Sequence, residues 1–173
     1  MEKTVFLIGF MGAGKTTLGK SAANALSWDF VDLDHFIEAE AGKTIREIFE
    51  QEGEKKFRET EREALKQIAH STGRNRIVAT GGGAPCFGDN MELINMLGIS
   101  IYLRPTTATL YDRLRLQKAE RPMIRAVEDT DLPAHIEMLL SKREPYYLKA
   151  HFVLESPKLN TRGLVSLIEE TKV

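Results

Sequence analysis

The sequence is poor in the features that would tie it to a membrane, a secretory route or a nucleic acid. It holds one cysteine, Cys86, in 173 residues, which excludes an internal disulfide and suits a reducing compartment. Its apolar runs are far too short to span a bilayer. No basic segment, apolar stretch and small-residue cleavage site follow one another after Met1. The expected location is therefore cytoplasmic, with no membrane partner. An excess of one charge is also missing: 24 Lys+Arg against 25 Asp+Glu leaves a net charge of −1, which gives no support to a nucleic-acid partner. No repeat, low-complexity tract or Pro/Gly/Ser linker divides the chain, and its length suits a single domain over residues 1–173. The four histidines, His35, His70, His135 and His151, show no metal-ligand spacing, and Cys86 reads as a small buried residue.

What is present is a regular alternation. Short apolar runs at 4–8, 29–33, 76–80, 99–103 and 152–155 are rich in β-branched or aromatic residues, as expected for strands covered on both faces. Segments of helical period lie between them: 16–26, 34–41, 43–69 with a break at 52–54, 90–97, 107–116, 132–147 and 162–171. Strands alternating with helices predict an α/β domain with a mainly parallel sheet, whose ligands bind beyond the carboxyl ends of the strands.

The first strand runs into GFMGAGKT at 9–16, so Gly9, Gly14, Lys15 and Thr16 fit G-x-x-x-x-G-K-[ST]. Glycines let several backbone N–H groups turn toward one anion. Lys15 adds positive charge for the outer phosphates, and the Thr16 hydroxyl suits Mg²⁺. The following helix aims its positive end at the same place. An ordinary glycine-rich turn is the bland alternative, but the flanking strand and helix are the context that the motif demands. ATP is favoured, because no N-K-x-D stretch for guanine is present.

The second strand ends in VDLD at 31–34, and Asp32 and Asp34 are expected on one side of the chain. One carboxylate suits water-mediated support of Mg²⁺, and the other suits the base role in phosphoryl transfer. Equally, an aspartate at a strand end often only caps the next helix, and Asp34 stands just before the helical run 35–41. The third strand runs into GGG at 81–83, either a flexible turn or a backbone closely approached by a ligand. Arg58, Arg121 and Arg143 are singly ordinary surface charges. If they converge, they suit a small hydroxylated carboxylate, since arginine pairs carboxylates in bidentate fashion. The charged stretch 117–131 reads as a mobile lid or a plain surface loop.

Together, G-x-x-x-x-G-K-T, D-x-D at 32–34, F-R-x-x-E at 57–61, G-G-G at 81–83, R-P at 121–122 and R-x-x-x-Y at 143–147 resemble the shikimate kinase family over the whole chain. The resemblance implies a P-loop NTPase fold with a central five-stranded parallel sheet flanked by helices. Substrate-binding helices would lie at about 34–62 and a mobile lid at about 114–126. It implies transfer of the γ-phosphoryl of ATP to the 3-hydroxyl of shikimate, with Mg²⁺ as cofactor, by a monomer. By position, Gly12, Ala13, Gly14, Lys15, Thr16, Thr17 and Arg121 would hold the nucleotide. Thr16 would bind the metal, with Asp32 acting through water. Asp34, Arg58, Gly82 and Arg143 would bind the acceptor, Glu61 would support Arg58, and Lys15, Asp34 and Arg121 would be catalytic. The adenine contact would be Arg113 or Arg115, with the loop 156–160. Two rivals remain: another small-molecule or nucleotide kinase on this scaffold, such as a gluconate kinase, and a nucleotide-dependent switch acting through a partner.

Overall fold

The computed structural model describes residues 2–120 and 123–171. Five strands form one parallel sheet: β1 (Thr4–Ile8), β2 (Asp29–Asp32), β3 (Arg76–Ala79), β4 (Ile99–Arg104) and β5 (Phe152–Glu155), in the order β2-β3-β1-β4-β5. Seven helices connect and cover them: α1 (Lys15–Leu26), α2 (Leu33–Ala41), α3 (Ile45–His70), α4 (Asn90–Leu97), α5 (Thr107–Leu116), α6 (Leu132–Tyr147) and α7 (Thr161–Glu170). The predicted strands and helices agree with these to within a residue or two.

The order follows from burial. Every residue of β1 and β3 is buried, so these continuous apolar runs take the middle of the sheet, while β2 and β5 form the edges. Alternation along β1 sorts the core into two layers. Phe6 and Ile8 face α2 to α6, including Leu33, Phe57, Ile94, Leu114 and Tyr147. Val5 and Leu7 face the other way, against Ala22 and Ala23 of α1 and Leu164 and Ile168 of α7. After β3 the chain crosses to the other side of β1, so the carboxyl ends of β1 and β3 lie side by side at the point where the winding reverses. That is where an open α/β sheet builds its ligand crevice. The phosphate loop leaves β1 there, and the triple glycine leaves β3.

Two local features shape that end. Helix α3 opens on a capping box, in which the Glu47 N–H donates to Thr44 Oγ1 and the Thr44 N–H to Glu47 Oε2. It breaks at Gly53, whose φ of 80° only glycine adopts without strain, inside the predicted interruption. Described residues of the stretch 117–131 make defined contacts. Ile124 is fully buried in the core, and Lys118 Nζ pairs with Asp129 Oδ1 at 2.6 Å. Cys86 is half-buried rather than buried.

Candidate active site

The phosphate loop is built as its glycines predict. Gly14, at φ 94°, caps α1 in a left-handed conformation with no side chain on the helix end. The first N–H groups of α1 are thus left for an anion. Lys15 is buried, and its ammonium donates to the Gly9 and Phe10 carbonyls at 2.7 and 2.9 Å, which holds it inside the loop. Thr16 Oγ1 donates to Asp32 Oδ2 at 2.9 Å. Arg113 Nη1 donates to the Gly12 carbonyl at 3.0 Å, so this arginine lies over the loop. Arg115 instead faces Asp112 and Tyr111 on its own helix.

The capping role that the sequence suggested for Asp34 falls to Asp32 instead. It ends β2 and immediately caps α2, its Oδ1 accepting from the His35 N–H at 3.4 Å. Asp34 sits in the first turn of α2. Burial, and next the neighbouring Asp32 carboxylate, raise its pKa above the ordinary aspartate value.

Two cavities open at this end of the sheet. One, of about 460 Å³, is lined by Gly12, Gly14, Lys15, Thr16, Thr17, Asp32, Arg113 and Gln117. The other, of about 300 Å³, is lined by Ile45, Phe49, Phe57, Arg58, Glu61, Met123 and Arg143. Met11, Asp34, Gly81 and Gly82 line both. The arginines of α3 and α6 therefore converge on one small chamber, and Asp34 stands in the wall between that chamber and the phosphate loop.

The triple glycine serves clearance more than turning. None of the three has a positive φ, but a Cβ on any of them would crowd a functional group. At Gly81 it would meet Asp34 Oδ1 at 2.9 Å, at Gly82 the Met11 N at 3.3 Å and Arg143 Nη1 at 3.6 Å, and at Gly83 Arg58 Nη2 at 3.2 Å. Sequence reasoning singled out Gly82 and missed the parts of Gly81 and Gly83, although the triplet itself was the signal.

Arg58 is fixed on all sides but one. Its Nη1 donates to Glu61 Oε2 at 2.9 Å, and its guanidinium lies 4.0 Å from the Phe87 ring centre and 5.0 Å from that of Phe57. Its Nε is buried and has no partner among the described residues. Burial raises the Glu61 pKa, and Arg58 opposes that shift. Arg143 Nη2 lies 3.4 Å from Met123 Sδ, and its guanidinium lies 5.8 Å from the Phe10 ring centre. Phe87 carried no sequence signal.

Three further expected contacts are not among these side chains. Ala13 is fully buried in the core, so only its backbone can address a nucleotide. The loop 156–160 borders a different cavity, between β5 and α7. Arg121 lies outside the described residues.

Thr16 and Asp32 offer two hard oxygens side by side, and the described residues contain no cluster of three or more His, Cys, Asp or Glu suited to a metal. That donor set fits Mg²⁺ arriving with a nucleotide, since Mg²⁺ takes one or two protein oxygens and completes its shell with phosphates and water.

A family model described as shikimate kinase matches residues 11–171. The chain belongs to the shikimate kinase family. A curated shikimate kinase from Bacteroides thetaiotaomicron is 44% identical over 158 residues, 91% of this chain and 89% of its own length. One from Moorella thermoacetica is 37% identical over 170 residues, 98% of this chain and 94% of its own. Among solved structures, the Bacteroides thetaiotaomicron shikimate kinase superposes with a TM-score of 0.85 at 40% identity, covering 97% of each chain. The Acinetobacter baumannii shikimate kinase, solved in complex with shikimate, gives 0.82 at 34% identity, covering 98% of this chain and 92% of its own. The P-loop architecture and the kinase class expected from sequence are therefore those of this family member.

Proposed function

We propose that the enzyme transfers the γ-phosphoryl of ATP to the 3-hydroxyl of shikimate, giving shikimate 3-phosphate and ADP on the route to chorismate and the aromatic amino acids. The observation that carries this reading is Asp34, a carboxylate of raised pKa in the wall common to the phosphate-loop cavity and the two-arginine chamber. Phosphoryl transfer asks little covalent chemistry of the protein. It needs the acceptor oxygen in line, charge neutralised and water kept out.

Each residue then has a task. ATP phosphates enter the phosphate loop and take over the Lys15 ammonium from the Gly9 and Phe10 carbonyls, with Gly12, Gly14 and Thr17 beside them and Arg113 on the nucleotide side. Thr16 would hold Mg²⁺, with Asp32 supporting it through water, and the ion would neutralise phosphate charge. Arg58 and Arg143 clamp the shikimate carboxylate, and Glu61 holds Arg58 in plane. Asp34 accepts the 3-hydroxyl proton as the oxygen attacks phosphorus. Arg121 is assigned to the transferring phosphate by its place in the R-P motif. A cytoplasmic monomer is part of the proposal, since one chain supplies every side chain named.

A coupled assay of ADP release with shikimate, gluconate and AMP as acceptors tests the reading. ADP release that requires shikimate, with shikimate 3-phosphate found by mass spectrometry, is expected. Phosphorylation of gluconate or AMP with shikimate inert would overturn it, and so would ADP release indifferent to all three.

A further inference from the structure

Tyr147 ends α6 and is fully buried, yet its hydroxyl reaches the segment that the two cavities share. It donates to the Gly82 carbonyl oxygen at 2.5 Å. Its ring packs on Tyr102 at 5.2 Å between centroids, and the Tyr102 hydroxyl donates to Glu144 Oε1 at 3.1 Å. Glu144 in turn accepts from Arg104 Nε at 2.8 Å. The phenol is thus fixed by its ring and by its oxygen. Burial, and next the Cys86 thiol, raise its pKa above that of free tyrosine, while the neighbouring Arg143 guanidinium opposes the shift.

A trans peptide unit is planar, and its C=O and N–H point opposite ways. The Gly82–Gly83 bond is trans. A carbonyl of Gly82 held toward Tyr147 therefore sends the Gly83 N–H away from Tyr147. Gly83 lines the acceptor chamber, against the Arg58 guanidinium. Among the described residues the Gly83 N–H has no protein acceptor. Between two glycines this peptide plane has little intrinsic preference, so its direction has to come from a partner.

We propose that Tyr147 is a positioning residue for the acceptor: its hydroxyl locks the Gly82–Gly83 peptide so that the Gly83 N–H stands beside Arg58 as a fixed donor to an oxygen of the bound acid. This rests on the two-arginine chamber being the acceptor site. The fixed N–H belongs to the same recognition surface as the arginine clamp, and it costs no reorganisation when the acid binds.

Steady-state kinetics on wild type, Tyr147→Phe and Tyr102→Phe test it. Loss of one well-placed donor corresponds to about a tenfold rise in shikimate KM for Tyr147→Phe, with kcat and ATP KM essentially unchanged. Tyr102→Phe removes a buried tyrosine hydroxyl from the other member of the pair. It should lower the unfolding temperature comparably while leaving shikimate KM alone. A wild-type shikimate KM in Tyr147→Phe, or the same kinetic change in both variants, overturns the inference and leaves the assigned activity standing. A wild type inactive on shikimate defeats the assigned activity first. If Tyr147→Phe does not fold, amide hydrogen exchange on the wild type decides: saturating shikimate should slow exchange at Gly83, and an unchanged rate refutes the lock.

Discussion

Asp34 carries two opposing demands. As a base it must be ionised, while its half-buried place beside Asp32 favours the protonated form. The kcat/KM of the wild type for shikimate should therefore fall with acid at a pH above the ordinary aspartate value of 3.8, measurable as the acid limb of a pH–rate profile. The folded protein holds this proton more tightly than the unfolded chain does. The contribution of Asp34 to stability is thus present at low pH and is lost as pH rises through the raised pKa. Asp34→Asn should reduce kcat by about 10²- to 10⁴-fold, yet unfold at a higher temperature than wild type at neutral pH. A variant both inactive and less stable would remove the base assignment. The glycines give a sharper pair. Gly81→Ala presses on Asp34 and should lower kcat, whereas Gly83→Ala presses on Arg58 and should raise shikimate KM. The opposite split would mean that the two neighbours had exchanged roles. None of this spacing was legible in the sequence, where a glycine triplet reads equally well as a turn. That Asp32 rather than Asp34 is the cap was hidden for a related reason: β2 passes into α2 with no linker, so the last strand residue is also the cap.

At the scale of elements the sequence was far more informative. Strands buried on both faces must be unbroken apolar runs, and helices announce their ends by caps such as the Thr44–Glu47 box. The break in α3 could be read because glycine interrupts a charged helical run there. Its consequence could not: the Phe49 and Phe57 rings meet across it at 4.6 Å and form one wall of the acceptor chamber. Gly53→Ala places a Cβ at φ 80° and ψ 169°, a region that only glycine adopts readily, and should cost about 1–3 kcal/mol of stability, read by denaturant unfolding. A shift in shikimate KM should accompany it, since the wall is built across the break. Unchanged stability would show that the helix tolerates straightening. Within the charged stretch 117–131, the burial of one apolar residue, Ile124, was not legible in the composition.

For the molecule as a whole, the doubly wound sheet matters because it brings distant pieces of chain to one rim. The phosphate loop from β1, the aspartates after β2, Arg58 from α3, the glycines after β3 and Arg143 from α6 meet there. Sequence spacing carries no information on such convergence, which is why the arginines singly looked like surface charges, and why Arg113 could not be told from Arg115 without coordinates. The central claim is that Asp34 stands between donor and acceptor. A crystal structure with ADP and shikimate both bound tests it most directly. The account predicts the shikimate carboxylate on Arg58 and Arg143, its 3-hydroxyl within hydrogen-bond distance of Asp34, and the ADP β-phosphate on Lys15. A shikimate whose hydroxyls all lie out of reach of Asp34, or whose carboxylate sits away from both arginines, would contradict it.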